Sequence, residues 1–120
     1  MKKAITLALT LLASPAIAQE AMTGSELEAV LGPHKTIVIR GPTYTAELTL
    51  KSSGTGVGSA TSNDGKVTAI AGVWYIRGNQ FCRAWENIDE GEEVCETWVK
   101  NGSNKVRVVV DGKEIEEISW

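Results

Sequence analysis

The chain has 120 residues, with 12 Lys and Arg against 15 Asp and Glu, and a formal net charge of -3. This length supports one domain of ordinary size. An acidic balance without clustered basic residues argues against binding to nucleic acid or to anionic lipid, because both need concentrated positive charge.

The first 18 residues have the pattern of a secretory signal peptide. Lys2 and Lys3 form a short basic region, residues 4–13 form an apolar run, and Ala16-Ile17-Ala18 supplies the small residues before a cleavage site. The apolar run is too short to span a bilayer, so we expect no membrane span. The prediction is export to the periplasm or the medium of one domain, residues 19–120, with a net charge of -5 once both lysines are removed.

One helix is predicted over residues 24–31. Thr23 and Glu26 have the spacing of a capping box, and Met22 and Leu27 have that of a hydrophobic staple. A glycine–proline pair ends the helix. Because a helix this short is marginal alone, we expect it to plug one end of a sheet structure.

The rest of the chain predicts about eight short strands joined by turns. No link is long enough for a crossover helix, so the pattern indicates a mainly β fold, an antiparallel meander forming a small barrel or sandwich. The glycines of residues 54–59 suit a bent strand better than a dinucleotide-binding loop, because no helix pattern follows them. The predicted strands are 36–40, 44–51, 56–60, 67–70 leading into 72–78, 80–87, a strand around Cys95, 105–110 and 114–119.

Residues 74–98 hold both cysteines and three of the four tryptophans. Turns at Gly78-Asn79 and near residues 89–91 predict two successive hairpins. Cys82 and Cys95 then lie on adjacent strands, where their side chains can meet on one face. In an exported chain we expect a disulfide, which would stabilise the domain by roughly 3 kcal/mol; two free buried thiols are the alternative.

Trp85 and Trp98 are predicted to share the face opposite the cysteines, close enough for their rings to approach. That face is either core or an exposed binding platform, and we expect core for at least one of them, as for Trp74. Arg83 and Arg77 beside them could hold an anionic group of a ligand. Equally, the arginines could pair with acidic residues across the sheet, Glu86 or Glu96.

Motifs for catalysis or for a bound metal are missing from the sequence. His34 is the only histidine, and with two cysteines committed to a bridge the chain offers too few ligands for zinc. The acidic residues Asp89, Glu90, Glu92 and Glu93 lack the calcium-loop pattern, and no serine has a nucleophile context. We therefore expect no catalytic residues, no cofactor and no metal site.

The helix segment T-G-S-E-L-E-A-V-L-G, together with the core G-V-W-x-x-x-G-x-x-F-C-R-x-W…C, resembles a known group. This group consists of small secreted alphaproteobacterial proteins that are classed as domains of unknown function, of the DUF995-like kind. The resemblance implies a periplasmic β-meander with one disulfide, Cys82–Cys95, and implies no activity. A weaker similarity is to barrel-type periplasmic lysozyme inhibitors.

The sequence thus predicts a non-catalytic periplasmic or secreted binding module, monomeric or weakly dimeric. Its ligand would be a small molecule in the barrel mouth or an envelope protein on the face of Trp85 and Trp98. The alternative function is inhibition of a cell-wall hydrolase of the lysozyme type. Lysozymes are commonly basic, and a domain with a net charge of -5 would be steered toward them.

Overall fold

The computed structural model describes residues 20–120 and shows a short helix followed by a closed barrel of eight antiparallel strands. Each strand pairs with the next, and the last pairs with the first. The predicted signal peptide and its cleavage before Gln19 lie outside the described residues. Within the described range, no helix is long and apolar enough to cross a membrane. The elements are α1 (Gly24–Leu31), β1 (Lys35–Arg40), β2 (Tyr44–Leu50), β3 (Thr55–Ser62), β4 (Val67–Arg77), β5 (Gln80–Trp85), β6 (Val94–Lys100), β7 (Lys105–Val110) and β8 (Lys113–Ser119).

The barrel confirms the predicted meander and excludes the sandwich. The helix has the predicted bounds, and its capping box is present: Thr23 N–H donates to Glu26 Oε1 at 2.9 Å, and Glu26 N–H donates to Thr23 Oγ1 at 3.2 Å. Three strands differ from the prediction by more than one residue: β3 extends beyond residues 56–60, β4 is one continuous strand of 11 residues, and β5 ends at Trp85 instead of residue 87. β3 and β4 pair with each other over seven residue pairs, which extends a strand whose own sequence signal is weak.

Strand alternation decides which side chains enter the barrel. Along β2, Ala46, Leu48 and Leu50 are buried while Glu47 is exposed, as the sequence predicts. The glycine-rich stretch belongs to β3, which confirms a strand there. A Cβ at Gly58 would lie 2.0 Å from the carbonyl oxygen of Glu47, so only glycine allows this close approach of β3 to β2.

One end of the barrel, here called the closed end, is filled by α1 and aromatic side chains. Leu27 and Leu31 of α1 are fully buried in the core, as expected of a helix that plugs the sheet. The Trp98 ring centroid lies 4.9 Å from that of Phe81 and 6.2 Å from that of Trp120. A hydrogen bond also holds the helix in place, since the Gly24 N–H donates to Asn79 Oδ1 in the β4–β5 turn at 2.7 Å.

The disulfide is formed as predicted. Cys82 of β5 and Cys95 of β6 are direct partners in the antiparallel register, and they are bonded to each other. Their side chains lie on the outer face of the barrel, because the neighbouring Arg83 and Glu96 point inward. The bridge therefore joins the two strands that flank the loop of residues 86–93.

Candidate ligand-binding site

The end of the barrel opposite α1, here called the open end, contains a cavity of about 460 Å³. This volume lies within the range of pockets that bind small molecules. Most of the wall is apolar, with Ile39, Ile70, Trp85 and Ile118 among its residues. Phe81 also lines the cavity and contacts the buried Trp98 at the closed end, so its ring separates the two ends.

Small side chains keep this space open. Ala46, Ala60, Ser62 and Thr68 line the cavity from β2, β3 and β4, where larger residues would fill it. Small barrels of eight strands ordinarily fill their interior with side chains or hold one small ligand. The residue sizes on these three strands therefore favour a barrel that leaves room for a ligand.

Five polar side chains lie in the apolar wall and are called here the polar cluster: Tyr44, Arg83, Asp89, Glu96 and Glu116. Arg83 Nε donates to Glu96 Oε2 at 2.9 Å, and Arg83 Nη1 donates to Asp89 Oδ2 at 2.9 Å. The Tyr44 hydroxyl donates to Glu116 Oε1. Such contacts are required because a buried polar group without a partner is costly.

The Arg83–Glu96 pair is almost completely shielded from solvent, with side-chain exposures of 9% and 2%. The other oxygen of Glu96 accepts a hydrogen bond of 2.8 Å from the indole nitrogen of Trp98. Both carboxylate oxygens of Glu96 are therefore occupied, one toward the cavity and one toward the closed end. This confirms the pairing of Arg83 with Glu96 that the sequence allowed.

A β-bulge in β8 places Glu116 in the cavity wall. The register passes from Val108↔Glu116 to Val109↔Glu114, so Ile115 has no direct partner on β7. Both Ile115 and Glu116 then line the cavity, although neighbours in a regular strand point to opposite faces. Bulges commonly redirect a side chain in this way.

Burial shifts the ionisation of the carboxylic acids in the polar cluster. It raises the pKa of Glu96 to about 7; the nearby Glu116 adds to this rise, while Arg83 and the Trp98 N–H oppose it. Burial also raises the pKa of Glu116, against the opposing effects of the Tyr44 hydrogen bond and of Arg83. The cavity therefore disfavours negative charge on these two acids, because it offers little solvation.

The basic and phenolic groups of the cluster keep their protons. Burial opposes the charge of Arg83, but the carboxylates of Glu96 and Asp89 more than offset it and raise its pKa. Burial raises the pKa of Tyr44 as well, and its hydrogen bond to Glu116 adds to the rise. Arg83 is therefore a fixed cation and Tyr44 a fixed hydrogen-bond donor at any physiological pH.

The mouth of the cavity is formed by three turns. Thr43 and Lys66 line it from the β1–β2 and β3–β4 connections, and Ile88 and Asp89 line it from the β5–β6 loop. That loop contains a short 3-10 turn, Asp89–Gly91, with φ values of 54°, 57° and 77° at its three residues. Asp89 ties the loop to Arg83 while its own side chain stays 51% exposed.

The four binding residues predicted from the sequence are separated by the structure. Arg83 and Trp85 line the cavity. Trp98 is completely buried at the closed end, and Arg77 lies on the outer surface, with 62% side-chain exposure and an ion pair of 3.2 Å to Glu93. Only two of the four are therefore brought together at this site.

The prediction that at least one of Trp85 and Trp98 belongs to the core is confirmed, and the structure buries both, since 6% and 0% of their surfaces are exposed. The expected approach of their two rings is wrong. Phe81 pairs with Glu96 in the register, so the two tryptophans lie toward opposite ends of the hairpin. Because both point inward, this face is no outer platform on which an envelope protein could dock.

Within the polar cluster, Tyr44, Asp89 and Glu116 were predicted neither as binding residues nor as partners of one. Tyr44 shares a face of β2 with the buried Ala46 and Leu48, but its partner lies 72 residues away. A signal for Glu116 was present in the segment I-E-E-I, residues 115–118. Two isoleucines three positions apart can both face the interior of a sheet only if the strand contains a bulge.

Among residues 20–120, no group of three or more His, Cys, Asp and Glu side chains is arranged to hold a metal ion. His34 is exposed and lies between α1 and β1, away from the cavity. Comparison with known proteins finds no matching family model, no matching curated protein and no matching solved structure.

Proposed function

We propose that this chain is a non-catalytic binding module that holds one small, largely apolar molecule inside the open end of its barrel. The observation that carries the proposal is the cavity of about 460 Å³, bounded by apolar side chains and kept open by small ones. Apolar pockets with a few placed polar groups are the usual form of small-molecule sites. The polar cluster supplies such groups on one wall.

The place of action that we propose is the periplasm or the medium. The Cys82–Cys95 disulfide supports it, because such bonds persist in oxidising compartments. Membership of the DUF995-like group and the signal peptide over residues 1–18 stay predictions.

A neutral apolar dye, N-phenyl-1-naphthylamine, tests the cavity. Its fluorescence should rise and saturate at one dye per chain when it is titrated into the protein. The variant Ala60→Phe fills the cavity from β3 and should weaken dye binding at least about tenfold. The matched control is Ala69→Phe, because Ala69 is an exposed alanine on the adjacent strand β4 and points outward.

Folding of both variants is checked by thermal melting, and dye binding is compared only between folded proteins. If Ala60→Phe unfolds the barrel, the smaller change Ala60→Val should still weaken dye binding while Ala69→Val does not. The proposal is contradicted if the wild type shows no saturable dye signal, or if filling the cavity leaves the affinity unchanged.

Inhibition of a lysozyme-type hydrolase, the alternative from the sequence, also stays a prediction. It is tested separately by adding the domain to a lysozyme-activity assay. Full lysozyme activity at micromolar concentrations of the domain would remove this alternative and would leave the cavity proposal untouched.

A further inference from the structure

We propose that the molecule held in the cavity is an amphipathic amine, whose ammonium group binds Glu116 and whose apolar body fills the space between β2, β4 and Trp85. This inference rests on the proposed function and adds the chemical class of the ligand. It depends on which groups of the polar cluster are already occupied and which are available.

Arg83 is already engaged by two acids, which weakens it as a site for an anionic ligand. Its Nε and one of its terminal nitrogens already donate to Glu96 and Asp89 at 2.9 Å each. The groups lining the cavity carry two positive charges, Arg83 and Lys66, and three negative charges when all are ionised. A ligand carboxylate would therefore compete with two carboxylates for one guanidinium and would meet a third.

Glu116 is the carboxylate in the cavity wall that forms no ion pair with any described residue. One of its oxygens accepts from the Tyr44 hydroxyl, which fixes the orientation of the group. Its second oxygen has no hydrogen-bond partner in the described part of the chain. An ammonium group needs such an acceptor, and the neutral Tyr44 beside it adds no positive charge.

The low polarity of the wall strengthens this preference. Burial, only partly offset by Arg83 and the Tyr44 hydrogen bond, makes the charge of Glu116 unfavourable, so a ligand that brings its own positive charge favours the ionised form. A charge-assisted hydrogen bond in such surroundings is roughly twice as strong as a neutral one. A neutral hydroxyl could donate to the same oxygen, but it would leave the negative charge uncompensated.

A consequence is that amine binding should strengthen as the pH rises through the raised pKa of Glu116. An alkylammonium keeps its proton throughout this rise, with a pKa near that of lysine, about 10.4. Glu116 must be ionised to bind it, and burial holds its pKa above the ordinary value. The other titratable groups that face the site are Tyr44, Lys66, Arg83, Asp89 and Glu96.

The test compares three compounds with the same eight-carbon chain: octylamine, octanol and octanoate. Each is used to displace N-phenyl-1-naphthylamine from the full domain at pH 7.5, and binding is confirmed by calorimetry. Octylamine should displace the dye at a concentration at least about tenfold below that of either other compound. Its advantage over octanol should shrink at pH 5, while displacement by octanol stays constant.

The decisive variant is Glu116→Gln, which keeps the size of the side chain and removes its charge. It should bring octylamine to the level of octanol, with each displacement referred to the dye affinity measured for this variant. The matched control is Glu117→Gln, the next residue of β8, which lies outside the cavity and whose carboxylate contacts Asn101. This control should keep the preference for octylamine.

Several results would overturn the inference. Stronger displacement by octanoate would assign the head group to Arg83, and equal displacement by all three compounds would show that the cavity does not select charge. A preference for octylamine that survives Glu116→Gln would place the ammonium elsewhere. Each of these leaves the cavity as the ligand site, whereas failure of the dye and of all three compounds to bind contradicts both proposals.

Discussion

The two ends of the barrel are built from the same eight strands but use their interiors in opposite ways. At the closed end, Trp98 is completely buried between Phe81 and Trp120, and Leu27 of α1 covers the strands. At the open end, small side chains leave a cavity of about 460 Å³, and its wall contains charged groups such as Arg83. Close packing and free space are thus separated along one barrel axis.

The difference between the two ends explains how a domain of about 100 residues remains stable with a cavity in its interior. Its core is modest, so the free energy of unfolding must come from the part that is well packed. Buried charge and empty volume both cost stability, and binding sites commonly accept that cost. The contact between Phe81 and Trp98 is where the closed end meets the open end.

The largest expected effect concerns the two core tryptophans. Trp98→Ala should reduce the free energy of unfolding by about 3–5 kcal/mol, because it empties a fully packed position and leaves Glu96 without the indole N–H. Trp85→Ala should cost less, because its ring already faces a cavity. Urea unfolding of both variants measures the difference. An equal or larger loss for Trp85→Ala would contradict the assignment of packing to the closed end.

The disulfide should have the next largest effect. The double variant Cys82→Ser, Cys95→Ser opens a link across 13 residues, which corresponds to roughly 3 kcal/mol in the chain-entropy model and to a fall in melting temperature on the order of 10 °C. Since the bridge flanks the loop of residues 86–93, dye binding at the open end should also weaken. A melting temperature equal to that of the wild type would refute this role.

The acids of the polar cluster should make stability depend on pH. In the folded state burial raises the pKa of Glu96 to about 7, although Arg83 and the Trp98 N–H favour the ionised form, whereas the ordinary value of 4.5 applies to the unfolded chain. The folded state thus binds more protons in this window, and the free energy of unfolding should fall, by roughly 1–3 kcal/mol, as the pH rises through it. Glu116 acts in the same direction because its pKa is also raised.

Urea unfolding between pH 4.5 and 7.5 measures this slope. Glu116→Gln should flatten it, and Glu117→Gln should not. The exposed carboxyls of Glu26 and Asp64 have lowered pKa values, so their contribution appears only in more acidic solution. A stability that rises with pH across the window would contradict the account of the polar cluster.

Much of the fold could be predicted from the sequence because its signals are local. The capping box at Thr23 fixed the start of α1, and turn residues such as Gly78 delimited the hairpins. The cysteine pairing follows from a turn placed midway between Cys82 and Cys95, and it is confirmed. Each of these signals lies within a few residues of the structure that it specifies.

The candidate site was harder to predict because it depends on contacts between distant strands. Tyr44 and Glu116 meet only after the barrel closes through the pairing of β1 with β8. The position of Glu116 also depends on the bulge in β8, which local alternation does not show. Arg77, in contrast, could have been set apart from the interior, because it lies three residues beyond the buried Trp74 on the same strand and so takes the opposite face.

The most direct test of the central claim is to map binding along the whole chain by NMR. The amide spectrum of the ¹⁵N-labelled domain is recorded during titration with N-phenyl-1-naphthylamine. The account predicts saturable shifts at residues lining the open end, such as Ala60, Ile70 and Ile118, and little change at Leu27 and in the rest of α1. Shifts centred on the closed end or on the outer face, with the cavity residues unmoved, would contradict it.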